Sequence, residues 1–206
     1  MSTETKSSAP GALRGARAPG PMARLHHAAR VTSDAARICD FYERVLGMEM
    51  VHVVVDDRVP STGQPFPYIH LFFAMADGST VAFFESPSLP PRAPSSHPGF
   101  DVFDHFAMAV DSRAAVDAWH AWLTSQGVEV VGPTDHGIIY SIYFHDPDGS
   151  RLEITTDLDT TWAAHPEQAR RQLDAWNATK EQARRSGADV NRALIDLIKA
   201  GAGSHS

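Results

Sequence analysis

The strongest constraint on this chain is an internal repeat: two stretches of about 75 residues each run strand, helix, three strands, with little identity between the copies. The first opens with RLHHAARVT from Arg24 and passes Ser33 and Asp34, both N-cap candidates, into AARICDFYERVL, which Gly47 stops. Ile38, Phe41, Tyr42 and Val45 recur in that helix at helical spacing. MEMVHVVVDD, YIHLFFAMA and TVAFFES then read as three strands, parted by VPSTGQPFP and by a turn at Asp77 and Gly78. After the Pro-rich linker PSLPPRAPSSHPG the order restarts with FDHFAMAV, Ser112 as cap, RAAVDAWHAWLTSQ, Gly127 as stop, and the strand candidates VEVVGP, IIYSIYF and RLEITTD. The expected fold is α+β: two paired βαβββ modules forming a curled mixed sheet around a metal cavity, plus C-terminal helices.

Residues 1–21 are rich in Ser, Ala, Gly and Pro without a hydrophobic period, and read as a disordered tail. A domain over 22–158 follows, with modules at 22–87 and 100–158, and a helical extension over 159–206 that could serve as lid, dimer arm in a homo-oligomer, or plain appendage. In the extension Pro166 stands near a helix start, and Leu173, Trp176, Leu194, Ile195, Leu197 and Ile198 are its apolar contacts. With 43% hydrophobic residues the chain can bury a core, while a net charge of −7 and no Lys/Arg cluster beyond Arg170–Arg171 and Arg184–Arg185 argue against nucleic acid. No apolar run reaches the roughly 18 to 20 residues that a bilayer span needs, and the N-terminus lacks a secretory apolar core, so the expectation is no membrane partner and a cytoplasmic location. Cys39 is alone, which excludes an internal disulfide.

Laying the copies on each other through their DGS turns sets Phe72–Ala82 against Tyr143–Glu153 without a gap, and matches His27 to His105 through their equal distance from the caps. Both copies keep the histidine; only the second has Tyr143 and Glu153, where the first has Phe72 and Ala82. Two equivalent strands in paired modules can bring His27 and His105 into one cavity, where Glu153 completes a set of two imidazoles and one carboxylate with open coordination positions. A borderline ion such as Fe(II) or Mn(II) suits that donor set. Glu85 is the candidate for a fourth ligand, but three residues past Ala82 it faces the other side of a regular strand.

DFYERVLGM after a first-strand histidine, and the closing FHDPDGSRLEI, resemble the vicinal oxygen chelate superfamily of glyoxalases, bleomycin-resistance proteins and extradiol dioxygenases over about Arg24 to Asp157. Thr134, His136, Ile142, Tyr143, Asp146, Pro147, Gly149 and Glu153 are further similar to the signature of type I extradiol ring-cleavage dioxygenases, here in a one-domain version. The resemblance implies that His27, His105 and Glu153 bind Fe(II), with Mn(II), Ni(II) or Zn(II) as alternatives, that a small aromatic catechol and O2 are the partners, and that His136 and Tyr143 are the catalytic pair exchanging protons with the substrate oxygens. For Tyr143 and Glu153 to share a face, their hairpin must close with an odd or bulged loop. Such dioxygenases usually carry a further histidine where this chain has Ser79 or Thr80, with His97 and His70 the candidates to stand in. The alternatives are a glyoxalase-type isomerase or lyase, and a non-enzymatic protein of the same fold that sequesters an aromatic ligand.

Among single residues, strand alternation places His26 on the face opposite His27. His52, His120, His145 and His165 read as structural or solvated, Cys39 as a small apolar residue, and Trp119, Trp122, Phe72, Phe73, Phe83 and Phe84 as core, some of them free to line a pocket.

Overall fold

A computed structural model describes residues 20, 22–90, 93 and 95–202; apart from Gly20, the expected tail over 1–21 lies outside the described residues. The chain divides into two compact units, Met1–Pro98 with Asp146–Ser150, and Gly99–His145 with Arg151–Ser206.

In the first unit, β1 (His27–Val31) leads to α1 (Ala35–Asp40), which continues as a π-helical turn over Phe41–Val45. The helix starts there because its first free amides are met: the Asp34 carboxylate accepts from Arg37 N and Glu85 Oε2 accepts from Ala35 N at 2.6 Å. Then come β2 (Glu49–Arg58), β3 (Pro65–Ala74) and β4 (Thr80–Glu85), in the sheet order β1-β4-β3-β2, with β1 parallel to β4 and the other pairs antiparallel. Alternation sends Leu71, Phe73, Val81 and Phe83 to one face, all buried, and the Tyr42 ring of the helix lies 4.8 Å from Phe83 and 5.4 Å from Phe73. The opposite face carries His27, His70, Phe72, Ala82 and Phe84. The Asp146–Ser150 turn belongs to this unit: Asp148 accepts from Ser33 Oγ at 2.8 Å and pairs with Arg37 at 3.1 Å.

The second unit repeats the plan. A short helix, α2 (Pro98–Phe103), precedes β5 (His105–Ala109); α3 (Arg113–Ser125), capped by Ser112, β6 (Val131–Asp135), β7 (Ile139–His145) and β8 (Arg151–Asp157) follow in the order β5-β8-β7-β6. Val116 and Leu123 of α3, with Ile142, Phe144, Leu152 and Ile154 of the sheet, are its buried core. A 3-10 turn (Trp162–Ala164), α4 (Pro166–Ser186) with Pro166 at its start, and α5 (Val190–Ala202) complete the described chain. Gly187, at φ 70, supplies the left-handed residue that ends α4. Among the described residues no helix is long and apolar enough to cross a membrane.

The strand registers reproduce the ungapped match between the copies. His27 pairs with Thr80 as His105 pairs with Arg151, and Phe72 pairs with Ala82 as Tyr143 pairs with Glu153. Between β7 and β8 the turn is Asp146–Ser150, an odd loop, so Tyr143 and Glu153 stand directly opposite on one face.

Four expectations need correction. α2 was not anticipated, because Pro-rich linker chemistry masked a helix of one and a half turns. The strand expected at VEVVGP begins only at Val131 and runs on to Asp135. Trp122 is 43% exposed rather than core, since Val116 and Leu123 occupy the buried stripe of α3. Among the described residues of the extension only Ala183 and Leu194 are buried, while Leu173, Trp176, Ile195 and Ile198 are exposed. Phe83→Ala empties a fully buried site and is expected to cost about 3–5 kcal/mol of stability, read by denaturant unfolding.

Candidate functional site

In the second unit the site grows from the first residue of β5. His105 Nδ1 donates to the Phe103 carbonyl at 2.9 Å, which places a hydrogen on Nδ1 and leaves Nε2 to face Glu153. That Nε2 lies 2.9 Å from Glu153 Oε2. Two lone-pair atoms at this separation require positive charge between them, either a proton or a cation. The Glu153 side chain is 2% exposed, and its Oε1 is buried without a hydrogen-bond partner. A buried carboxylate with one oxygen unsatisfied is costly unless something positive completes it. The spacing also suits a divalent ion: two ligands each about 2.1 Å from a metal, near a right angle, stand about 3 Å apart.

Tyr143 adjoins Glu153 across β7 and β8, and its hydroxyl lies 2.9 Å from Nε2 of His136, just beyond β6. Burial first, then the neighbouring Glu153 carboxylate, pushes the Tyr143 phenol up, so it is protonated at neutral pH. The Arg151 guanidinium lies over the Tyr143 ring at 4.2 Å from its centroid. Sequence reading missed Arg151, although it stands two residues before Glu153 and therefore on the same face.

In the first unit, His27 opens β1 and shares a hydrogen bond of 2.8 Å between its Nδ1 and Nδ1 of His26. Its ring meets His70 and Phe72 edge-on, with centroids 6.1 and 5.7 Å away. His70 is 8% exposed, stacks on Phe84 at 3.5 Å, and has a buried Nε2 without a hydrogen-bond partner. Burial, with His27 and His52 nearby, pushes its imidazole down to about 4, so it is neutral at physiological pH. His52 in turn lies 5.8 Å from Phe72.

The sequence-predicted residues therefore fall into two sets. His105, Glu153, Tyr143 and His136 come together in the second unit, and His27 sits with His26, His70 and Phe72 in the first. Among the described residues no group of three or more His, Cys, Asp and Glu is placed to hold a metal ion. Ser79 is buried in the turn, its hydroxyl and amide both donating to Asp77. Glu85 caps α1, on the helix side of the sheet. His26 departs from the alternation expected of it, because β1 begins only at His27 and the two rings bond to each other. Cys39 donates to Glu43, and burial together with that carboxylate raises its thiol to about 11, far from a nucleophile's range.

Residues 24–154 match the family model described as Glyoxalase/Bleomycin resistance protein/Dioxygenase superfamily. The Bacillus subtilis (strain 168) protein MhqA, which bears the name of a ring-cleaving dioxygenase, is 28% identical over 136 residues, covering 65% of this chain and 40% of its own. A biphenyl-2,3-diol 1,2-dioxygenase of Rhodococcus globerulus is 33% identical over 78 residues, covering 37% of this chain and 39% of its own. The chain thus spans about two-fifths of the length of these curated relatives. A glyoxylase/bleomycin resistance protein/dioxygenase domain from Frankia sp. EAN1pec superposes with a TM-score of 0.54 at 16% identity, covering 66% of this chain and 99% of that one.

Because Glu85 serves a helix start, Glu85→Ala is expected to cost about 1 kcal/mol by thermal or denaturant unfolding while leaving divalent-metal uptake unchanged. Loss of metal from that variant would return Glu85 to the ligand set.

Proposed function

Because the chain belongs to the Glyoxalase/Bleomycin resistance protein/Dioxygenase superfamily, we propose that it is a metal-dependent dioxygenase that opens a catechol-like ring by extradiol cleavage with Fe(II) and O2. The observation that carries this reading is the contact of His105 Nε2 with Glu153 Oε2 at 2.9 Å, with the Tyr143–His136 pair beside it on the same sheet. His105 and Glu153 would hold the ion, and the resemblance of the two copies supplies His27 as the third ligand; Mn(II), Ni(II) or Zn(II) are the other ions such donors accept. When bound, Fe(II) supplies a Lewis acid for the two substrate oxygens and the redox chemistry that O2 requires.

The chain's own side chains do the rest. Tyr143, protonated at neutral pH, offers a hydrogen bond to a substrate oxygen, and His136 Nε2, 2.9 Å from that phenol, can hold or return its proton. Phe72 and the stacked His70–Phe84 pair present flat aromatic surface suited to an aryl ring. The partners on this reading are a small aromatic diol and O2, as the name of the Rhodococcus relative says of that protein.

An isomerase or lyase would ask for a fourth protein ligand, and Glu85, the candidate, is engaged at α1. Sequestration without catalysis has one observation in its favour: the place where a further histidine was expected is filled by Ser79, bonded into its turn.

Anaerobic loading with Fe(II), followed by oxygen uptake and a yellow product on a panel of catechols, is the expected result. Tyr143→Phe is expected to keep iron and lower kcat by about 10²–10⁴-fold. No uptake with any catechol despite bound iron contradicts the reading; a ligand bound without turnover would point to sequestration, and isomerase activity with Ni(II) or Zn(II) to the lyase alternative.

A further inference from the structure

Arg151 takes no part in the proposed reaction, yet it stands beside the groups that do. It lies on β8 two residues before Glu153 and pairs in register with His105 on β5 and His145 on β7, so alternation turns it to the face that carries Tyr143 and Glu153. Its guanidinium lies over the Tyr143 ring, 4.2 Å from the centroid, and its Nη1 donates to the Val102 carbonyl near the end of α2. All of these residues belong to the second unit.

The side chain is half-buried, and among the described residues no carboxylate lies within ion-pair distance of it. Glu153 has a buried oxygen without a partner only two residues along, but the guanidinium goes to Val102 and to the Tyr143 ring instead. A guanidinium stays charged throughout the pH range of a folded protein, and a partly desolvated cation without a counter-charge gains from an anion.

The chemistry of the cation narrows the anion. With Nη1 given to Val102, the remaining N–H groups form the planar fork that meets both oxygens of a carboxylate. A single arginine matches a single negative charge, whereas a phosphate would call for further cations, and among the described residues no other Lys or Arg lies over Tyr143. The place is fixed by Tyr143 itself: a substrate oxygen that takes the phenol's hydrogen bond stands one ring's breadth from the guanidinium lying over that ring.

We propose that Arg151 is a specificity-determining residue: it pairs with a carboxylate carried on the aromatic ring, so that the site takes an anionic diol in preference to a neutral one. This rests on the aromatic-diol reading above and deepens it by naming the charge of the substrate. It asks nothing of the metal, because a charged guanidinium has no lone pair to give.

Calorimetric titration of the full chain under anaerobic conditions, with and without Fe(II), compares 2,3- and 3,4-dihydroxybenzoate with their methyl esters, which keep the ring and both hydroxyls and lose the charge. At least one acid is expected to bind about 10–100-fold more tightly than its ester, in the same ratio with and without iron. Arg151→Met is expected to bring that acid down to the affinity of its ester and to leave the ester unchanged; Arg151→Lys, which keeps the charge but not the fork, is expected to fall between. The comparison of acid with ester is made on the native chain and so does not depend on how well a variant folds. Equal affinities for acid and ester in both isomers, or an acid preference that survives Arg151→Met, would overturn the proposal. An acid preference abolished by Arg151→Met, with no oxygen uptake by the iron-loaded chain, would overturn the dioxygenase reading and leave the role of Arg151 standing; oxygen uptake with acid and ester bound and turned over alike would do the reverse.

Discussion

A buried carboxylate facing an imidazole lone pair is the contact on which the candidate site depends. Glu153 is almost wholly out of water, one oxygen 2.9 Å from His105 Nε2 and the other without a partner. With His105 Nδ1 donating to Phe103, the contact is closed either by a proton between Nε2 and Oε2 or by a cation. Positive charge is required, and the donor pair, one nitrogen and one oxygen, is of the kind that borderline divalent ions accept. Removing His105 leaves the Glu153 carboxylate buried and uncompensated, which is costly.

The backbone makes this contact possible through parity. The five residues Asp146–Ser150 between β7 and β8 put Tyr143 opposite Glu153, whereas a two-residue turn would have sent them to opposite faces. The first copy holds the same register with Phe72 opposite Ala82. One scaffold, used twice, carries Tyr143 and Glu153 in one copy and Phe72 and Ala82 at the matching places in the other.

Much of this was legible in the sequence, for physical reasons that particular residues make plain. The repeat, both caps, the helix contacts at Ile38, Phe41, Tyr42 and Val45, and the odd loop all rest on local rules of spacing and turn chemistry, and the structure contains each of them. Glu85 was placed on the helix side by alternation alone. Helix α2 was hidden because Pro and Gly at Pro98 and Gly99 read as linker, and Trp122 was misjudged because hydrophobicity does not say which stripe of a helix is buried. The His26–His27 bond lay beyond alternation because it depends on where β1 begins, and strand ends are the least determined part of a sequence reading. The orphaned Nε2 of His70 and Oε1 of Glu153 are properties of packing, which spacing cannot report.

The central proposal is that His105 and Glu153 hold a divalent ion, with His27 proposed as the third ligand. X-ray absorption on the Fe(II)-loaded chain counts imidazoles around the metal directly. Two imidazoles with oxygen donors, falling to one in His27→Ala and to one in His105→Ala, is the predicted result; a metal site whose imidazole count is unmoved by either substitution would contradict it.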